Sequence, residues 1–166
     1  MLDNSTFDYK PHLKSAYIDP IRTVTVIDDE YPTIDDLISP TKDSFSQDNI
    51  SRLKDIIDIS RSEEYNWLLD VYNGKEKKIQ EGTVSNRLYH SDLLILDYHL
   101  DGEDSGYCKK SIDIIKNLSE NRHFNIVAVH TKGYDGQKGS VNEVLIDIIT
   151  SLQERPAISI LNDKSI

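Results

Sequence analysis

The chain has 166 residues, 29 Asp and Glu against 19 Lys and Arg, a formal net charge of −10 and one cysteine. So acidic a chain lacks the basic footprint that neutralising phosphates requires, which argues against nucleic acid or an anionic membrane as a partner. No apolar run nears the roughly 18 residues of a bilayer span, and the opening MLDNSTFDYK lacks the basic-then-apolar pattern of a secretory leader, so a cytoplasmic protein stabilised by packing rather than by disulfides is expected.

The first twenty residues read as an N-terminal extension, followed by one domain over 21–166, expected to be part of a longer protein. Ile21 to Ile27 (IRTVTVI) predicts a first strand. A short helix is expected near Thr33 to Ile38, then a Ser-rich polar loop from Ser39 to Asp48. A longer helix follows from Asn49, with Ile50, Leu53, Ile56 and Ile57 on one face. Trp67 to Val71 predicts the second strand and Leu93 to Leu96 the third, while Tyr72 to Asn86 is polar and without clear period. Cys108, Ile112, Ile115 and Leu118 form a helical stripe with Ser105 as N-cap. Asn125 to Val129 predicts the fourth strand. The stripe Val141, Val144, Leu145, Ile148, Ile149 and Leu152 predicts a helix opened by Ser140 and Glu143 in a capping box, and Ala157 to Leu161 a fifth strand.

Strands alternating with helices mean an α/β fold with a doubly wound, five-stranded parallel sheet. Strands one, three and four are nearly all apolar, as when helices cover both faces. No fifth helix follows strand five in the chain, so its cover is expected from the N-terminal twenty residues, a partner or further chain.

In such a sheet the site lies beyond the carboxyl ends of the strands. Those ends carry Asp28, Asp29 and Glu30; Asp97, Tyr98 and His99; His130, Thr131 and Lys132; and Asn162, Asp163 and Lys164. Carboxylates brought together there raise one another's pKa unless a cation offsets them, and Mg²⁺ suits a site of few carboxylates that keeps waters and accepts a phosphate. Asp97 is then either only a ligand or a nucleophile forming an acyl phosphate. Thr131 and Lys164 would supply a hydrogen bond and a positive charge to the phosphoryl oxygens.

On VTVIDDE (Val24 to Glu30), SDLLILDYHLDGEDSG (Ser91 to Gly106), FNIVAVHTKG (Phe124 to Gly133) and, more weakly, AISILNDK (Ala157 to Lys164), the chain resembles the receiver domain of bacterial two-component response regulators. It is most similar to a divergent receiver group with an enlarged segment between strands one and three. The resemblance implies the CheY-like strand order 2-1-3-4-5. It implies Asp97 as phosphoacceptor, and Mg²⁺ held by Asp28, Asp29, Asp97 and the backbone carbonyl of His99, with Asp29 the more direct acid of the pair. Thr131 becomes the switch hydroxyl, with His130 beside it as the alternative although a hydroxyl fits the role better than an imidazole, and Lys164, or else Lys132, the phosphate-contacting lysine. The implied partners are a histidine kinase or phosphotransfer protein and an output domain or protein, with a homodimer as one form. Such a domain is not an enzyme beyond its own phosphorylation and dephosphorylation.

Four positions depart from the family's pattern. Asp101 stands where a proline is usual, Gly106 arrives one residue late, Leu161 replaces the aromatic switch residue, and Ser165 follows Lys164 in place of proline. These departures motivate an alternative, a pseudo-receiver that scaffolds partners without phosphorylation. A haloacid dehalogenase-type phosphohydrolase is a remote third reading, because its second Asp, two residues after the nucleophile, is His99 here. No pair of the five histidines has zinc-ligand spacing, and Cys108 reads as a buried small hydrophobe.

Overall fold

A computed structural model describes residues 8–38, 45–74, 88–100, 108–131 and 140–153. In chain order the elements are helix α1 (Lys10–Leu13), running into a π-helical turn Lys14–Ile18; strand β1 (Thr23–Ile27); α2 (Ile34–Ile38); α3 (Gln47–Ser60); β2 (Leu68–Tyr72); a 3₁₀ turn Leu88–His90; β3 (Leu93–Asp97); α4 (Lys109–Ser119); β4 (Ile126–His130); and α5 (Val141–Gln153). The strands form a parallel sheet ordered β2-β1-β3-β4. Four of the five expected strands and their order are present; Ala157 to Leu161 lies outside the described residues.

Strand alternation divides the core between two faces. Ile27, Leu94 and Leu96 point to one face, where they pack with Ile114, Ile115 and Leu118 of α4; Ile148 and Leu152 of α5 lie against the same cluster. Val26 points to the other face and packs with Leu53 of α3, flanked by Leu69, Val71 and Ile95. The central strands β1 and β3 are well buried. β4 is only half-buried, with Ala128 exposed on the α3 side, so the expectation that both its faces are covered does not hold as it does for β1 and β3.

Helix starts differ in detail from the sequence expectations. The cap of α3 is Ser46, whose hydroxyl accepts the Asn49 N–H at 3.1 Å, so the helix opens two residues before Asn49. Ser140 accepts the Glu143 N–H at 3.4 Å, as the capping box predicts. Ser105 lies outside the described residues, and the residue flanking the first turn of α4 is Cys108. The α1 segment is exposed, and Ile18 and Asp19 line a shallow cleft with Glu63 to Trp67 at the amino edge of β1 and β2. Ile18 and Asp19, at the end of the π-helical turn, thus sit at the sheet's amino edge.

That edge is held by Asp92. One carboxylate oxygen accepts the N–H groups of Arg22 and Thr23, both at 2.8 Å, and the Thr23 hydroxyl at 2.9 Å; the other lies 3.1 Å from His123 Nε2. Burial alone raises this carboxyl's pKa, but the combined hydrogen bonds outweigh it and hold the group below the usual carboxylate range. Asp92→Ala is expected to cost about 2 kcal/mol in a urea titration, with unchanged m, because it strands the N–H groups that start β1.

Candidate functional site

β1 and β3 run side by side, with Ile27 opposite Leu96. The next residues, Asp28 and Asp97, therefore emerge together at the carboxyl edge. Each is only 4% exposed. With Asp29 they offer carboxylate oxygens that all lie within 4.8 Å of one another. Local turns aim the two buried acids: the Glu30 N–H donates to Asp28 Oδ1 at 2.9 Å, and the His99 N–H to Asp97 Oδ1 at 3.2 Å. Glu30 accepts instead from Asn49 Nδ2 of α3, at 3.2 Å.

Burial raises the pKa of Asp97; the His99 N–H and the neighbouring His130 oppose the rise, while Asp28 adds to it. Asp29 is raised first by burial and then by the charges of Asp97, Asp28 and Glu30. Converging acids with charges this disfavoured suit a hard divalent cation, and an oxygen donor set with few carboxylates fits Mg²⁺ with waters retained.

β4 completes the edge. Asp97 pairs in register with His130, whose Nε2 is 3.2 Å from Asp28 Oδ2 and whose Nδ1 is 3.9 Å from Asp97 Oδ1. Thr131 lies one residue further, its hydroxyl 3.2 Å from His99 Nε2; His99 Nδ1 is in turn 3.4 Å from Cys108 Sγ. The acids named from sequence thus come together, and the β4 side chain that joins them is the imidazole. Lys132 and Lys164 lie outside the described residues.

A family model described as a response receiver domain matches residues 20–164, a span running from the lead-in to β1 through Lys164. The chain belongs to the response receiver domain family. No curated protein matches it, and neither does any solved structure. Receiver domains are in general signalling domains rather than enzymes; they usually bind Mg²⁺ and work with histidine kinases or other signalling partners. Among the described residues of this receiver, no helix is long and apolar enough to cross a membrane.

Two further residues support the receiver's acidic edge: Ser111, which sequence reasoning passed over, and Tyr98, which it placed at a strand end without a role. Ser111, fully buried in α4, donates to the carbonyls of Asp97 at 3.0 Å and Tyr98 at 2.7 Å, tying the end of β3 to the helix. Its only sequence signal is a hydroxyl on an otherwise apolar helix face. Tyr98 is buried, and its hydroxyl donates to Asp147 Oδ2 of α5 at 2.7 Å, so the residue after Asp97 is linked to the helix after β4. Ser111→Ala is expected to lower stability by about 1–2 kcal/mol, read by chemical denaturation, because both buried carbonyls lose a donor.

Proposed function

We propose that this receiver accepts a phosphoryl group on Asp97 from a phosphohistidine and passes the change to a protein partner. The observation that carries this is the meeting of Asp28, Asp29 and Asp97 within 4.8 Å at the carboxyl edge of a parallel sheet, in a chain of the receiver family. An Asp97 carboxylate oxygen attacks phosphorus, a P–O bond forms, and the P–N bond breaks with the electron pair leaving on the donor's imidazole nitrogen.

Asp28, Asp29 and Asp97, together with the backbone carbonyl of His99, would hold Mg²⁺. The ion supplies positive charge opposite the oxygens of the transferring group. The His99 N–H fixes the rotamer of Asp97, and its near-complete burial keeps competing water from the carboxylate. Lys164, or Lys132, would add a cation, and the end of β4 a hydrogen bond from His130 or Thr131.

Output is proposed to run through the helix after β4 and the neighbouring strands. The Tyr98–Asp147 bond ties α5 to the site, and α5 presents exposed Val141, Leu145 and Ile146. Phosphorylation that repositions β4 shifts this helix between two packings. In the test, the chain is incubated with Mg²⁺ and a small acyl phosphate or phosphoramidate, and a single hydroxylamine-labile phosphoryl group is expected. No label from such donors or from a cognate kinase returns the chain to the pseudo-receiver reading.

A further inference from the structure

β4 ends on two polar residues, His130 and Thr131, and either has the chemistry to bond a phosphoryl oxygen. Strand geometry separates them. His130 is the register partner of Asp97, and paired residues of a parallel ladder share a face. Its imidazole is 42% exposed above two nearly buried acids, with Nε2 3.2 Å from Asp28 Oδ2 and Nδ1 3.9 Å from Asp97 Oδ1. The first separation is a hydrogen bond; the second is too long for one. A phosphoryl group on Asp97 carries its oxygens two bonds beyond the carboxylate oxygen, within reach of Nδ1.

Thr131, one residue on, alternates to the opposite side, toward the start of α4. Its hydroxyl lies 3.2 Å from His99 Nε2, and His99 Nδ1 lies 3.4 Å from Cys108 Sγ. Asp28 has capacity for both a ring and an ion. Its Oδ1 accepts the Glu30 N–H and its Oδ2 faces His130, and an ionised carboxylate has about four lone-pair sites.

We infer that His130, rather than Thr131, is the β4 residue that contacts the phosphoryl group on Asp97: with both ring nitrogens carrying protons, Nε2–H donates to Asp28, which orients the ring, and Nδ1–H donates to a phosphoryl oxygen. The inference rests on Asp97 being the phosphoacceptor. Thr131 then belongs to a chain of contacts through His99 and Cys108 that leads to α4.

The experiment uses the full chain with Mg²⁺ and an acyl phosphate donor, and reads the initial rate of aspartyl phosphate formation. His130→Ala is expected to slow it at least about tenfold more than Thr131→Val does, the scale of losing one donor to a developing oxyanion. His130→Asn, whose side-chain amide nitrogen takes roughly the place of Nδ1, should recover most of the rate. A merely structural histidine would not be rescued in this way. In ¹⁵N spectra with Mg²⁺ and beryllofluoride, the His130 Nδ1 resonance should shift in the wild type and stay unmoved in Asp97→Asn. A larger loss in Thr131→Val than in His130→Ala, or an unmoved Nδ1 resonance in the wild type, overturns the assignment. A wild type that takes no label overturns the phosphoacceptor reading itself, whereas a labelled wild type with an unaffected His130→Ala overturns only the role of His130.

Discussion

Asp97→Asn is expected to accept no phosphoryl group from a small donor or a cognate kinase, while its circular dichroism and urea m-value match the wild type. The amide keeps the shape of the carboxylate and can accept the His99 N–H that turns β3, so the strand end should hold. It has no carboxylate oxygen to form the acyl phosphate. In the absence of divalent ions the variant should also be more stable than the wild type, because it removes a charge that is 4% exposed and faces Asp28. A variant that still took hydroxylamine-labile phosphate would show that another residue is the acceptor.

The paired substitution Asp28→Asn with Asp29→Asn is expected to weaken Mg²⁺ binding by roughly two orders of magnitude by calorimetry. It leaves one carboxylate of the three, and Mg²⁺ held by a single acid and waters is bound only weakly. The same change should abolish the rise in melting temperature that saturating Mg²⁺ gives the wild type, since that rise is the binding free energy expressed as stability. An unchanged affinity would remove the acid pair from the metal site.

The pH dependence of the ion-free wild type has two parts of opposite sign. Asp97 and Asp29 have folded-state pKa values above their unfolded ones, mainly through burial. As pH falls from neutral through those raised values, the folded state takes up protons first and stability increases. Asp92 has a lowered folded-state pKa, so its contribution is present above the usual carboxylate range and is lost as pH falls through the folded value below it. Unfolding curves taken between neutral and strongly acid pH should rise and then fall. Saturating Mg²⁺ should flatten the rise, because the ion holds the acids charged. A monotonic fall from neutral pH without Mg²⁺ would contradict the cost assigned to the acidic edge.

Much of the fold was legible because its signals are local. The run TVTVI has the β-branched, apolar character of a strand buried on both sides, and it is β1. The stripe from Val141 to Leu152 shows the helical period and a capping box, and it is α5. The carboxyl-edge rule then places Asp28, Asp29 and Asp97 together, because each sits at a strand end that adjacent residues define. Ser111 escaped notice because its role is to meet two carbonyls fourteen and thirteen positions away in the chain, a relation that no period encodes.

What the sequence determined by itself is the class of fold, the order of its elements and the three acids at one edge, since periodicity and strand ends are properties of neighbouring residues. Only the tertiary structure decided which residue of the pair His130 and Thr131 meets those acids. The chemistry of the two side chains favoured the hydroxyl, whereas the register of β4 against β3 pairs Asp97 with His130 and leaves Thr131 beside His99. The physical reason is the two-residue repeat of a strand. A shift of one position exchanges faces, and packing between segments more than thirty residues apart, rather than either residue's own chemistry, sets that position.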